Sequence, residues 1–154
     1  MTKNLLTITA DREEWITGLS GKLKLGDFSG RGEGWFNNSE IEKFCVSLIQ
    51  MFTTMEGEIE LIGSEQNSDG SEYLETFALR VYVLSSSKLN GIVGIHCTLA
   101  ERTSGSDCRK EEIRKMSGEV QIRNQHIKTF AEDLQKLMNG EVNEVTLIID
   151  LQIL

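Results

Sequence analysis

The amino-acid sequence predicts an α+β fold made of two similar β-β-β-α-β halves, with antiparallel sheets, two amphipathic helices and approximate internal twofold symmetry. Three observations predict it: a stretch that recurs along the chain, an apolar helical stripe in each copy, and strand-like alternation around each helix. We expect one domain over residues 1–154, with a first half at 1–64, a second half at 73–154 and a polar connection at 65–72.

The recurring stretch occurs first at residues 32–48, GEGWFNNSEIEKFCVSL, and again at residues 118–134, GEVQIRNQHIKTFAEDL. The two segments align without gaps, and the same residue type recurs at six of the aligned positions. A repeated unit of this kind predicts that the two halves share one local structure. The matched pairs are Gly32 with Gly118, Glu33 with Glu119, Asn38 with Asn124, Ile41 with Ile127, Phe44 with Phe130, and Leu48 with Leu134.

The first copy contains an amphipathic helix, because apolar side chains from Ile41 to Met55 recur every three or four residues. Ser39 and Glu42 have the spacing of a capping box, which would satisfy two amide donors at the start of this helix.

The second copy repeats the apolar stripe from Ile127 to Met138. We expect Asn124 to be its N-cap, and Asn139 followed by Gly140 to end it.

Strands are predicted before and after each helix from alternating polar and apolar residues. The segments that show it best are 22–25, 58–61, 73–84, 93–99 and 145–149. The final run, VTLIIDLQIL, is apolar on both sides at its start. It should be a central strand, or an edge strand buried by a second copy of the chain, because an exposed apolar edge invites aggregation.

The glycine-rich stretch FSGRGEGWF, residues 28–36, is interpreted as a strand rather than a phosphate-binding loop. No Lys-Ser or Lys-Thr follows its last glycine, and its spacing is not G-x-G-x-x-G. As a strand it places alternate residues on one face. That face would carry three glycines between two inward-facing phenylalanines, forming a bare groove that a helix, another backbone or a ligand approaches closely. These residues are Phe28, Gly30, Gly32, Gly34 and Phe36.

The opposite face of the same strand would carry Trp35 with Arg31 and Glu33. A tryptophan on a polar face can anchor a protein partner, so these three residues are candidate partner contacts. The alternative is that a loop or a second layer covers Trp35. Trp15, by contrast, is expected in the core.

The formal net charge of −8 argues against nucleic acid and anionic membranes as partners and favours a basic protein. No apolar run approaches the roughly 20 residues that span a bilayer. An odd count of three cysteines excludes a full set of internal disulfides and favours the cytoplasm.

No residue pattern indicates catalysis, a metal site or a cofactor. His96 and His126 are expected on the surface, and Cys45 and Cys97 on apolar faces as inert packing residues. Cys108 lies beside Arg109 and Lys110, which would raise its reactivity, but no base is near it in sequence. An incidental exposed thiol is therefore the favoured interpretation.

Several elements together resemble a group of small uncharacterised bacterial proteins, namely G-x-G-x-G-W-F before a helix, then LETFALRVY, GIVGIHCTLA and FAEDLQKLMNGEVNEVTL. This resemblance implies no activity. The size, acidity and layout are more loosely similar to small acidic bacterial immunity proteins, which neutralise toxins. We therefore expect a non-enzymatic binding or inhibitor protein with a basic partner. A homodimer with or without a ligand over the glycine groove, and an enzyme with a site between the halves, are the alternatives.

Overall fold

The computed structural model describes residues 4–66, 72–86, 91–102 and 110–149. The elements follow the order predicted from sequence, three strands, a helix and a strand in each half. They are β1 (Asn4–Arg12), β2 (Ile16–Leu25), β3 (Phe28–Asn37), α1 (Asn38–Thr54), β4 (Glu58–Gln66), β5 (Glu72–Ser85), β6 (Ile92–Arg102), a 3-10 turn (Lys110–Glu112), β7 (Ile113–Arg123), α2 (Asn124–Met138) and β8 (Glu144–Ile149).

The strands form two antiparallel four-stranded sheets, sheet A with the order β3-β2-β1-β8 and sheet B with the order β4-β5-β6-β7. The last strand of each half lies in the sheet of the other half, because β8 pairs with β1 and β4 pairs with β5. Among the described residues β8 is an edge strand, so the expectation of a central strand was wrong. Burial of this edge by a second copy stays a prediction, and so does the twofold symmetry.

One cluster of buried apolar side chains fills the space between the sheets and the helices, and both halves contribute to it. The helices pack against each other. The apolar stripes of both helices are buried as predicted. The largest fully buried side chains include Phe77 of β5, whose ring meets the edge of the Phe36 ring at 5.8 Å between centroids.

The helix starts differ from the sequence prediction by one or two residues. The N-cap of α1 is Asn37, and its N–H donates to Oε1 of Glu40 at 3.1 Å, so the predicted box of Ser39 and Glu42 was wrong. In the second copy Asn124 is the first helical residue rather than the cap. The predicted end of α2 is confirmed, since the helix stops at Met138 and Gly140 has a φ of +77°.

The glycine-rich stretch is a strand, and its glycine face lies against sheet B rather than against a helix. Along β3 the glycines contact successive strands of sheet B, Gly30 at Met116 of β7 and Gly34 at Gly63 of β4. A Cβ on Gly32 would overlap the backbone carbonyl oxygen of Thr76. The absence of side chains therefore lets the backbone of β3 cross sheet B at close range.

The two phenylalanines at the ends of this strand differ in burial. Phe36 is buried as predicted, whereas Phe28 is 75% exposed, so its predicted inward position was wrong. Phe28 pairs with Leu25 beside the β2–β3 turn, beyond the contact of Gly30 with sheet B. It shares the face of the glycines, but the second sheet does not reach that far.

Candidate functional site

Trp35 lies on the outer face of sheet A, across the backbone of its cross-strand partner Gly18. A Cβ on Gly18 would come within 2.8 Å of the indole ring, so the glycine provides the surface on which the ring lies flat against the strand. The side chain remains 46% exposed. One face of the Trp35 ring thus packs on the backbone of Gly18, and the rest of the side chain is accessible to solvent.

Glu33 fixes the orientation of this indole. The Nε1–H of Trp35 donates to Oε1 of Glu33 at 2.9 Å, and the Ser20 hydroxyl donates to Oε2 of the same carboxylate at 3.3 Å. A tryptophan N–H bonded to a carboxylate forms a charge-assisted hydrogen bond, which holds the ring more firmly than a neutral acceptor would. The structure therefore brings together two of the three predicted contact residues.

Trp15 lies on the turn between β1 and β2, three residues before the Gly18 that Trp35 covers, and is 76% exposed, so its predicted core position was wrong. The amide of Asn38 holds this turn: its Nδ2 donates to the backbone oxygens of Glu13 and Glu14, and its backbone N–H donates to the oxygen of Trp15 at 2.9 Å. The exposed indole is thus carried by a backbone that is fixed to the start of α1.

Carboxylates accompany these apolar side chains. Asp11 is directly opposite Gly18 in the sheet, Glu13 and Glu14 precede Trp15 in the turn, and Glu33 is bonded to Trp35. All four are exposed. We name this patch the tryptophan surface; it consists of Trp15, Ile16 and Trp35 with the carboxylates of Asp11, Glu13, Glu14 and Glu33.

Arg31, the third predicted contact residue, is not part of this surface. Its Nε lies 3.4 Å from Oε2 of Glu101, at the end of β6 in sheet B. The other oxygen of Glu101 is 3.6 Å from Nη1 of Arg114 in β7. Arg31 therefore links the edge of sheet A to sheet B through Glu101, and it also lies opposite Lys22 in the sheet.

The outer face of sheet B carries a similar arrangement that the sequence did not indicate. Tyr82 covers Gly94, since a Cβ there would lie 2.6 Å from the phenol ring, and its hydroxyl donates to Glu119. Burial, then the hydrogen bond and the charge of Glu119, raise the pKa of Tyr82 to about 12. Glu33 and Glu119 are one of the matched pairs of the repeat. In each sheet an aromatic ring therefore covers a glycine and donates a hydrogen bond to the glutamate of this pair.

His96 is half-buried on the same face rather than solvated as expected. Its Nε2 lies 3.2 Å from the hydroxyl of Ser117, which in turn lies 3.2 Å from the hydroxyl of Thr98. These side chains stand on a flat face of paired strands.

Cys45 and Cys97 are buried among apolar side chains, as predicted for packing residues. Burial raises the pKa of Cys97 to about 12, and burial with the charge of Glu42 raises that of Cys45 to about 11. Cys108 lies outside the described residues. Within the described ranges, no three side chains of His, Cys, Asp or Glu come together in a way that could hold a metal ion.

Neither helix of the described chain combines the length and apolar character required to cross a membrane. The chain matches no protein-family model, no curated protein and no solved structure in the three comparisons made. The candidate function therefore depends on the geometry of the sites alone.

Proposed function

We propose that this protein is a non-enzymatic binding protein that docks a basic protein through the tryptophan surface. The observation that carries the proposal is the exposure of Trp15 on a turn held by hydrogen bonds to Asn38. Trp35, oriented by Glu33, adds a second exposed indole on the adjacent strand.

Two exposed tryptophans on rigid backbone are suited to a binding hot spot. A tryptophan at the centre of an interface typically contributes about 2 kcal/mol or more when truncation is measured. Because the Trp35 indole is already oriented by Glu33 and the backbone of the Trp15 turn is held by Asn38, binding would cost less side-chain and loop entropy. The surrounding carboxylates would pair with Arg or Lys side chains of the partner and accelerate association at low salt.

An immunity-type inhibitor in the cytoplasm is the specific form of this proposal. It is supported by the acidic patch and by the net charge of −8, since the toxins and enzymes that bind nucleic acids are usually basic. Such a partner would present a basic cleft into which the acidic, tryptophan-bearing end of sheet A inserts.

The test is affinity capture from a lysate of the source organism with the full-length protein as bait. A Trp15→Ala/Trp35→Ala double variant is compared with Phe28→Ala, a matched control that removes another exposed aromatic ring outside the surface. We expect the wild type and Phe28→Ala to retain the same basic protein, released by about 0.5 M salt because the contacts are screened. The double variant should fail to retain it while keeping its circular dichroism spectrum.

Retention of the partner by the double variant would contradict the proposal, as would capture of no basic protein. Sedimentation of the bait alone tests the homodimer alternative. A dimer that the double variant abolishes would assign the tryptophan surface to a second copy of the chain instead.

A further inference from the structure

A cleft of about 260 Å³ lies where β3 of sheet A meets the ends of β6 and β7 in sheet B. It is lined by the apolar residues Leu99 and Met116 and by four cationic residues. We name it the basic cleft; its cations are Lys22, Arg31, Arg114 and Lys115, and its one carboxylate is that of Glu101.

The charge of this cleft is opposite to that of the whole molecule. It gathers four of the 16 Lys and Arg residues of a chain with net charge −8, and only one carboxylate lies among them. Within the described part of the chain, Lys22 and Lys115 have no ion-pair partner. Such a grouping of cations attracts anions.

Glu101 positions the two guanidinium groups without neutralising the cleft. Each of its oxygens is reached by one nitrogen, Nε of Arg31 at 3.4 Å and Nη1 of Arg114 at 3.6 Å. Neither pair is bidentate among the described contacts, so both planar groups retain donors for a further oxyanion.

The backbones that carry these side chains are packed tightly together. A Cβ on Gly30 would lie 2.7 Å from Cβ of Met116, so β3 and β7 approach too closely for a side chain between them. Arg31 directly follows Gly30, and Arg114 lies two residues before Met116. The packing of the sheets therefore sets the separation of the backbones that carry the two arginines.

We propose that the basic cleft binds the phosphoryl group of a small phosphorylated ligand. Two guanidinium and two ammonium groups match the charge and the multiple acceptor oxygens of a phosphate monoester. A larger cleft of about 550 Å³ shares Arg31 and Glu101 with it and is lined by polar residues such as Ser20 and Thr76. This neighbouring cleft would accommodate the rest of the ligand. The phosphoryl site itself shares no residue with the tryptophan surface, and only Glu33 of that surface lines the neighbouring cleft.

The experiment titrates the full-length protein with inorganic phosphate and with phenyl phosphate at constant ionic strength, following backbone amide shifts by NMR. We expect saturable binding with a Kd of about 1 mM or below, tighter for phenyl phosphate, and shifts at Gly30, Arg31, Arg114 and Lys115. An Arg114→Gln/Lys115→Gln variant should bind at least about tenfold more weakly, because it loses two charge-assisted contacts.

The matched control is Lys43→Gln/Lys128→Gln, which changes the net charge equally through exposed helical residues outside the cleft. It should bind phosphate like the wild type, and so should Trp15→Ala/Trp35→Ala. If the control bound phosphate as weakly as the Arg114→Gln/Lys115→Gln variant, the binding would depend only on the net charge of the protein, and the proposal would be overturned. Shifts that do not saturate, or shifts in residues remote from the cleft, would also overturn it. Arg114 is 74% exposed, so its substitution leaves the core intact, and an unchanged melting temperature verifies this.

Discussion

The side-chain oxygen of Asn38 accepts a hydrogen bond from the Thr17 hydroxyl at 2.6 Å, whereas the equivalent oxygen of Asn124 is buried without a partner. Both asparagines begin a helix, and both donate a backbone N–H to the residue that precedes the second strand of their half. Thr17 pairs with Phe36 in sheet A; in sheet B the corresponding pair is Val93 with Ile122. Val93 therefore occupies the position at which the first half has Thr17, the hydrogen-bond donor.

The unsatisfied oxygen of Asn124 predicts the effect of Val93→Thr. A buried hydroxyl without a partner costs about 1–3 kcal/mol, so Val→Thr in a core normally destabilises. At residue 93 the new hydroxyl would meet the vacant acceptor, and we expect the free energy of unfolding to change by less than about 1 kcal/mol. Urea denaturation measures it.

The control for this prediction is Val81→Thr, at another fully buried valine on the same face of sheet B. It should lose more stability than Val93→Thr, by about 1 kcal/mol or more. Equal losses at the two sites would show that the amide oxygen does not accept from the introduced hydroxyl.

Gly32 and its repeat partner Gly118 should respond very differently to the same substitution. In Gly32→Ala the new methyl group would overlap the Thr76 carbonyl oxygen and the Ala100 backbone, so the sheets must separate. We expect a loss of about 3 kcal/mol or more in the free energy of unfolding, measured by urea denaturation.

In Gly118→Ala the close neighbour is the end of the Leu25 side chain, 3.1 Å from the added Cβ, which can rotate away. The expected loss is below about 1 kcal/mol, because only a flexible side chain must move. Similar losses in the two variants would contradict the close crossing of β3 over sheet B.

The ionisation of Tyr82 gives a pH-dependent prediction. Its pKa is raised to about 12, first by burial and then by Glu119, so the neutral phenol is the form that the fold stabilises. This contribution to stability is complete below the ordinary tyrosine pKa of about 10 and is lost as the pH rises through about 12. Glu119→Gln removes the negative charge and should lower the pKa of Tyr82 in a spectrophotometric titration.

Tyr82→Phe assigns the transition, because the chain has only one other tyrosine. Lys128→Gln is a control that leaves the face of sheet B unchanged. If Glu119→Gln left the pKa of Tyr82 where it is in the wild type, the hydrogen bond between them would not hold in solution.

The order of the elements could be predicted from sequence because each depends on local spacing. The alternation of FSGRGEGWF is visible in nine residues, and so is the apolar stripe that starts at Ile41. The exposed position of Trp15 could not be predicted, because tryptophan is a residue type that favours burial. The turn that carries it is held by hydrogen bonds to Asn38, more than 20 residues away in sequence. The basic cleft was equally hidden, because Arg31 and Arg114 meet only through packing of the two sheets.

Exchange of the last strands between the halves predicts the behaviour of a cut chain. β4 belongs to the first half but pairs with β5, and β8 belongs to the second half but pairs with β1. A protease site inserted between residues 66 and 72 should therefore give two fragments that remain together on size-exclusion chromatography, held by both strand pairs and the shared core. Separation should require denaturant, because each fragment alone would expose two sheet edges and half of the core.

As a control, the cut chain with Gly32→Ala should separate at lower urea than the cut wild type. Spontaneous dissociation of the cut wild type in buffer would contradict the strand exchange.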